Sequence, residues 1–293
     1  MPTNVLDFGK RLKGFITAKR HHLERLRNTH PSDRGITSLN LIREFPLYRA
    51  NMDGSYRLKA QIASQSINNT IPFLSQLCDG LGLPLMTVTS IEAFAKDEIT
   101  RAASLSLRDC FNRHGSDKSS LHDYHWLYGS ILQHPEAISS ILEIGLGTNN
   151  PSVPSTMGVD GKPGASLRSW KDYCKHAAIY GADIDRNILF QEERIETYFV
   201  DQTDHASFTS LATKIPERFD LIIDDGLHAV DANVQTLSFA LQRLKPLGWV
   251  VIEDIAIASQ PLWQLVAALL PSTFQSSFII AKNGCLFAVQ YQP

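Results

Sequence analysis

The chain has 293 residues, of which 43% are hydrophobic and 20% are charged, and its formal net charge at pH 7 is -2. This length allows one α/β domain with an extension or two modest domains. The small net charge supplies no field that would attract nucleic acid, so nucleic-acid binding is disfavoured. Residues 1–28 lack the apolar core of a signal peptide, and no apolar run approaches the ~18 residues needed to cross a bilayer. We therefore expect a cytoplasmic protein without a transmembrane segment.

The four cysteines are far apart in the sequence and include no CxxC pair; they are Cys78, Cys110, Cys174 and Cys285. This spacing indicates neither a zinc site nor a redox dithiol. We expect reduced, mostly buried thiols.

Residues 1–114 are predicted to form a mostly helical N-terminal region. Apolar residues in the segment 5–28 recur at helical spacing among many basic side chains, which indicates an amphipathic helix. Its basic face could contact an acidic partner or a membrane surface, but such faces are more often simply solvated.

An irregular connector is predicted over residues 30–53, where proline and glycine interrupt short apolar pieces. A helix is then predicted over residues 61–81, with a break at Pro72. Another helix is predicted from Ser90, a possible N-cap, to about Arg113.

From residue 115 onward, apolar segments alternate with helical or loop stretches, which is typical of a parallel sheet with right-handed crossovers. We predict parallel strands over residues 140–144, 178–183, 197–200, 219–223 and 249–252. Two further segments, 277–281 and 286–290, flank Asn283-Gly284, a strong hairpin signal. The predicted fold of residues 115–293 is therefore α/β: a doubly wound, mostly parallel seven-stranded sheet that ends in an antiparallel hairpin.

The first of these strands ends in Glu143-Ile144-Gly145-Leu146-Gly147, whose glycines let a ligand approach the backbone closely. The loop lacks the third glycine of GxGxxG, so a nucleoside site is favoured over a dinucleotide site, and a nicotinamide oxidoreductase is the weaker alternative. The next strand ends at Asp183, where a carboxylate can accept hydrogen bonds from a ribose diol. For Asp185 and Asp201, capping of turns or helices is the alternative role.

A second group of polar residues follows two other strands. One strand delivers Asp224, Asp225 and His228, and the other ends in Glu253-Asp254. Because neighbouring parallel strands end at the same edge of a sheet, we predict that these side chains meet. Carboxylate oxygens suit Mg²⁺, and an imidazole that is largely neutral near pH 7 suits a general base. Alternatively, each segment could cap the helix that follows it.

These features resemble the class I S-adenosylmethionine-dependent methyltransferases over about residues 115–292, which implies a Rossmann-like methyltransferase sheet. Gly115-Ser116-Asp117-Lys118, residues 164–170, and Asp225 to His228 with Glu253-Asp254 resemble more closely the metal-dependent sugar O-methyltransferases of macrolide and related glycoside biosynthesis, the mycinamicin 2''-O-methyltransferase type. The long loop of residues 149–163, which we expect beside the cofactor site, departs from that pattern, and the N-terminal helices carry no motif that can be assigned to it.

The resemblance implies a set of residues that bind S-adenosyl-L-methionine, namely Glu143, Gly145, Gly147, Ser166, Asp183, Asp201, Gln202 and Asp224. The glycines would line the methionine part, Asp183 would hold the ribose, and Asp224 would close the pocket near the sulfonium. Asp201 and Gln202 would frame the adenine.

The resemblance also implies that Asp225, Glu253 and Asp254 bind Mg²⁺, and that Lys118 belongs to a tract that closes over the site. His228 and Asp225 are the expected catalytic residues, with His228 as the general base. The His- and Tyr-rich residues 122–128 are candidates for the acceptor pocket, with surface or core roles as the alternative.

The expected function is S-adenosylmethionine-dependent, Mg²⁺-assisted O-methylation of a hydroxyl on a sugar or other diol-bearing acceptor, within natural product or glycan biosynthesis. The expected partner is a small-molecule glycoside or glycan, and homo-oligomerisation is left open. The alternative is a non-catalytic assembly protein that keeps the fold and binds a partner through its N-terminal helices.

Overall fold

The computed structural model describes residues 48, 55–83, 86–216 and 218–293. The amphipathic helix predicted over residues 5–28 lies outside the described residues, as does all but residue 48 of the connector predicted over 30–53. Backbone contacts divide the chain into two units, Met1–Leu74 and Ser75–Pro293. The predicted division into an N-terminal helical region, residues 1–114, and an S-adenosylmethionine-binding catalytic domain, residues 115–293, stays a prediction.

The described helices are α1 (Tyr56–Gly80), α2 (Glu98–His114), α3 (Asp117–Ser120), α4 (His125–Ile131), α5 (Ala165–Tyr173), α6 (His205–Ala212), α7 (Val230–Leu241) and α8 (Gln260–Leu269). The described strands are β1 (Thr87–Ser90), β2 (Ser140–Ile144), β3 (Ala178–Asp183), β4 (Gln191–Glu192), β5 (Ile195–Phe199), β6 (Phe219–Asp224), β7 (Leu244–Ile255), β8 (Phe274–Ala281) and β9 (Gly284–Tyr291). Short 3₁₀ turns cover Ile91–Phe94, Pro135–Ala137, Arg186–Ile188 and Ile257–Ser259.

Two helix predictions are wrong in detail. Helix α1 continues through Pro72, because a proline removes one backbone donor while the turns on either side remain helical. The helix predicted from Ser90 begins at Glu98 instead, where the Asp97 carboxylate accepts a hydrogen bond from the Thr100 amide at 2.8 Å. Ser90 ends strand β1.

The strands form one nine-stranded sheet in the order β1-β8-β9-β7-β6-β2-β3-β5-β4. Neighbours from β7 to β5 in this order are parallel, and β9 runs antiparallel to both β7 and β8. The predicted doubly wound, mostly parallel sheet with a terminal antiparallel hairpin is therefore confirmed. Strands β1 and β4, which the prediction lacked, extend the two edges.

The core explains why the central strands are apolar on both faces. Every residue of β2 is buried, as expected for a parallel strand covered on both sides. One apolar cluster packs β2 under α2, α4 and α5, with Phe111, Tyr128 and Trp170 among its members. The other cluster lies on the opposite face and includes Phe208 of α6 and Trp263 of α8.

The four cysteines are free, and Cys110, Cys174 and Cys285 are buried, as predicted. Burial raises the pKa of the Cys174 thiol to about 12. Among the described helices, none combines the length and the apolar composition needed to cross a bilayer.

The register of the parallel strands positions the site. Ile144 at the end of β2 is paired with Ala182 of β3 and with Asp224 of β6, and Asp224 is paired with Ile252 of β7. The carboxyl ends of these strands are therefore level, and the residues that follow them meet at one edge.

Candidate functional site

A cavity of about 420 Å³ opens at this edge of the sheet. Its lining includes residues predicted from several separate segments: Gly145, Gly147, Asp183, Asp201, Gln202, Asp225, His228 and Asp254. The structure thus brings the predicted nucleoside side and the predicted acid and histidine side into one space.

The two glycines of the loop after β2 have little free space around them, and both have a positive φ. Gly145 has φ +96°, and a Cβ there would lie 2.0 Å from the Asp225 carbonyl oxygen. Gly147 has φ +77°, and a Cβ there would lie 1.8 Å from the Met157 sulfur. The left-handed backbone favours glycine at both positions, and at Gly145 the contact with backbone also leaves no room for a Cβ.

The loop of residues 149–163 forms one wall of the cavity through residues 153–157. The Thr148 carbonyl anchors it by accepting hydrogen bonds from the Met157 amide at 2.9 Å and the Thr156 hydroxyl at 3.1 Å. The loop therefore lies beside the glycine loop, on the side where the cofactor site was expected. Which of its residues line the cavity could not be predicted, because proline and glycine indicate a loop without specifying its conformation.

Asp183 lines the cavity, and each of its carboxylate oxygens accepts a hydrogen bond from a backbone amide. They accept hydrogen bonds from the Leu146 amide at 2.7 Å and the Asp185 amide at 2.8 Å. Burial raises the pKa of Asp183. Asp185 accepts from the Asn187 amide at 3.0 Å and from the Thr148 hydroxyl at 2.6 Å, so the alternative that Asp185 caps a turn is confirmed.

Asp201 lies on the cavity wall and also stabilises the turn after β5. Its carboxylate accepts a hydrogen bond from the Thr203 amide at 2.9 Å. It does not cap α6, because Asp204 is the N-cap of that helix.

Gln202 braces the cavity wall with its whole amide group. Its nitrogen donates to Asp224 at 2.8 Å and to the Thr236 hydroxyl at 2.9 Å, and its oxygen accepts from the Leu227 amide at 2.8 Å. Asp224 is fully buried, also accepts from Asn233 at 3.1 Å, and is absent from the cavity lining. Burial raises the pKa of Asp224.

Glu143 and Ser166 lie beside the glycine loop rather than in the main cavity. Glu143 is fully buried and accepts a 2.6 Å hydrogen bond from the Trp170 indole of α5. Burial raises the pKa of Glu143. Ser166, in the first turn of α5, lines a smaller adjoining cavity together with Lys118.

Asp225, His228 and Asp254 form a group whose ligand atoms all lie within 4.8 Å of one another. His228 Nε2 is 4.0 Å from Asp225 Oδ1 and 3.9 Å from Asp254 Oδ2. Such a set of two carboxylates and an imidazole can hold a divalent cation or assist a proton transfer.

The backbone at this group is strained: His228 has φ 56° and Asp254 has φ 55°, which is uncommon for residues with a Cβ and tends to cluster at functional sites. The alternative that these segments cap helices is wrong. Neither α7, whose N-cap is Ala229, nor the 3₁₀ turn after β7, whose N-cap is Ala256, has a side-chain cap.

Glu253, the remaining predicted metal ligand, points into the protein and does not line the cavity. Its carboxylate accepts a hydrogen bond from the Tyr128 hydroxyl and forms a 2.5 Å ion pair with Lys118 Nζ. Its role as a metal ligand stays a prediction.

The segment 122–128 has mixed roles. The Tyr124 hydroxyl donates to Asp254 Oδ1 at 2.6 Å, and Tyr124 and Tyr128 lie four residues apart, a spacing that puts both on one side of a helix. That spacing is the sequence signal that could have placed both tyrosines on one side of a helix, although it does not identify Asp254 and Glu253 as their partners. His125 has a core role instead, and its burial lowers its pKa to about 4.

No protein-family model matches the chain. Similar curated proteins include an 8-demethyl-8-alpha-L-rhamnosyl tetracenomycin-C 2'-O-methyltransferase from Streptomyces olivaceus, which is 34% identical over 153 residues, 52% of this chain and 38% of the relative. Demethylmacrocin O-methyltransferase from Streptomyces fradiae and mycinamicin VI 2''-O-methyltransferase from Micromonospora griseorubida are each 40% identical over 99 residues, 33% of this chain and 25% and 24% of those relatives. The matches thus span well under half the length of these relatives.

Among solved structures, the chain is similar to the MycE methyltransferase from the mycinamycin biosynthetic pathway, determined with Mg and SAH and also with Mg, SAH and mycinamycin VI. The TM-score is 0.52 at 23% identity, covering 64% of this chain and 55% or 54% of that one. At this identity the likeness concerns the fold alone. The chain therefore has the fold of the class I S-adenosylmethionine-dependent methyltransferases, and its sequence is similar to that of sugar O-methyltransferases.

Proposed function

We propose that this chain transfers a methyl group from S-adenosylmethionine to a hydroxyl of a sugar or other diol-bearing glycoside, assisted by a divalent cation. One observation carries the proposal: a single cavity joins the glycine loop and Asp183 to Asp225, His228 and Asp254. The sugar O-methyltransferase names of the relatives support a glycoside hydroxyl as the acceptor.

The nucleoside side of the cavity fits the cofactor. Gly145 and Gly147 leave the backbone open to a ligand, and each Asp183 oxygen keeps a lone pair for a ribose hydroxyl after accepting one backbone hydrogen bond. The cavity volume of about 420 Å³ is within the roughly 300–1,000 Å³ usual for small-molecule sites. S-adenosylmethionine would supply an activated methyl group on its sulfonium.

The opposite side fits a divalent cation. Asp225 and Asp254 supply oxygen donors of the kind that Mg²⁺ prefers, close to each other and to the cavity. A bound cation would polarise the acceptor hydroxyl and orient a vicinal diol. Glu253, the predicted third ligand, is buried beside Lys118 and Tyr128 and would have to turn toward the cavity to join the other two carboxylates.

His228 is the proposed general base. Its imidazole is partly exposed in the cavity and accepts the hydroxyl proton as the acceptor oxygen attacks the methyl group. The carboxylates of Asp225 and Asp254, 4.0 and 3.9 Å from Nε2, stabilise the imidazolium that forms. Asp225 thus serves both the cation and the base.

The cofactor and base are tested by calorimetry with S-adenosylhomocysteine and by methyl transfer to a panel of rhamnosides. His228→Ala should lower turnover by about 10² to 10⁴-fold, the usual contribution of a positioned base, without changing S-adenosylhomocysteine affinity. His134→Ala is the matched control, since His134 is exposed and outside the cavity lining. Unchanged turnover in His228→Ala would refute the base. Absence of cofactor binding together with stable capture of a protein partner would favour the assembly alternative.

The cation is tested by removing it. EDTA should abolish methyl transfer, added Mg²⁺ should restore it, and Asp225→Asn should raise the Mg²⁺ concentration needed. Asp109→Asn is the control, because Asp109 is exposed, pairs with Arg108 and does not line the cavity. Full activity in EDTA would contradict the assigned role of the cation, whereas the proposal that the chain transfers a methyl group would stand.

A further inference from the structure

Lys118 is a buried cation for which the proposed reaction has no role. The residue as a whole is 1% exposed. Its ammonium lies 2.5 Å from Glu253, 2.6 Å from Asp225 and 3.3 Å from Glu143. It therefore connects the strand that leads into the glycine loop with both strands that carry the acidic group.

The charges around Lys118 do not balance. Burial alone would lower the pKa of Lys118, but the charges of Asp225, Glu253 and Glu143 outweigh it and raise that pKa well above its usual value. Burial also raises the pKa of Glu253 against the attraction of Lys118, with a further contribution from the neighbouring Asp225. The ammonium stays charged, and the surplus negative charge is the unfavourable part of the cluster.

The carboxylates are divided between an inner and an outer side. Asp225 Oδ2 contacts Lys118, whereas Asp225 Oδ1 is the oxygen closer to His228. Glu253 is held on the inner side by Lys118 and Tyr128. Asp254 faces His228 on the outer, cavity side.

We propose that Lys118 is a positioning residue that serves as a built-in cation: it holds Glu253 and one oxygen of Asp225, and thereby lowers the affinity of the outer group for a divalent cation. The inference rests on the divalent site of the proposed function. The Lys118 ammonium beside that site repels the divalent cation and holds one carboxylate oxygen of Asp225 away from it. Ligand charge count is a main determinant of divalent-cation affinity at oxygen sites.

The test is calorimetric titration of the full chain with MnCl₂ or MgCl₂ alone, without cofactor or acceptor. Lys118→Met keeps an unbranched side chain one heavy atom shorter than lysine and removes its charge. We expect Lys118→Met to bind Mn²⁺ at least about tenfold more tightly than the wild type, because the second oxygen of Asp225 becomes available and the neighbouring positive charge is gone. Lys162→Met is the matched control: this lysine lines the small adjoining cavity near Gly115, is exposed, and has no ion pair to the acidic group.

A second variant covers the risk that Lys118→Met does not fold. Lys118→Met/Glu143→Gln removes one positive and one negative charge together, and glutamine can still accept the Trp170 hydrogen bond. Thermal unfolding followed by circular dichroism identifies which variants are folded. If only the double variant folds, the same affinity threshold applies to it.

The outcomes separate this inference from the proposed function. A folded variant that binds Mn²⁺ within threefold of the wild type, or more weakly, overturns the role of Lys118 and leaves the proposed function standing. Binding by the variant but not by the wild type supports the role of Lys118 and contradicts metal assistance in the natural chain. Binding by neither overturns both, while cofactor binding and methyl transfer are measured independently.

Discussion

Replacing Gly145 with alanine would push the glycine loop against the backbone of the proposed catalytic residue Asp225. The new Cβ would lie 2.0 Å from the Asp225 carbonyl oxygen, whereas real Cβ contacts essentially never fall below 3.0 Å, so one backbone segment must move by at least 3.0 − 2.0 = 1.0 Å. A displacement of about 1 Å at a reacting group can cost on the order of 100-fold in rate. The positive φ of +96° adds strain of about 1–3 kcal/mol.

We therefore expect Gly145→Ala to lower turnover about 100-fold and to destabilise the chain by about 2 kcal/mol or more. Initial rates of methyl transfer and urea unfolding measure the two effects. Gly82→Ala is the control, because Gly82 has φ +67° and nothing within 4 Å of the added Cβ, so it carries the backbone strain alone. If the two variants had equal stability and equal rates, the close contact with Asp225 would not matter and the reasoning would be refuted.

Three further predictions concern the described core and cavity wall. Because burial lowers the pKa of His125 from 6.5 to about 4, the folded chain favours the neutral imidazole; this stability is present above pH 6.5 and is lost as the pH falls toward 4. It amounts to at most about 3 kcal/mol, and His125→Phe should flatten this part of the stability-pH curve measured by urea unfolding. Trp170→Phe removes the donor to the buried Glu143 carboxylate and should cost about 1–3 kcal/mol while weakening S-adenosylhomocysteine binding; unchanged unfolding would contradict this. Gln202→Leu leaves Asp224 without one donor and should cost a similar amount, with thermal unfolding as the measurement.

The strand endings that form the candidate site could be predicted locally. Gly145 and Asp183 directly follow an apolar residue of their strand, Asp225 and Asp254 each come one acidic residue later, and the carboxyl ends of parallel strands share one edge. Strands β1 and β4 could not be predicted in this way. They have four and two residues, too few for a periodic pattern, and they form only because a longer strand lies beside them.

The roles within the site were less accessible to sequence reasoning. Asp224, Asp225, Glu253 and Asp254 are adjacent pairs of acids, and nothing in the pairs distinguishes a cavity-facing carboxylate from a buried one. The structure places Asp225 and Asp254 at the cavity and the other two in the interior. The difference depends on which partners each carboxylate finds.

By itself, the sequence determined the sheet, its terminal hairpin and the edge where the site lies, because hydrophobic runs and turn residues act over a few neighbouring positions. Only the tertiary structure decided that Lys118 lies among the carboxylates of Glu143, Asp225 and Glu253. That ammonium is 107 residues from Asp225 and 135 from Glu253 along the chain. The contact exists because α3 packs at the carboxyl edge of the sheet, and no local pattern specifies which distant charge will be buried there.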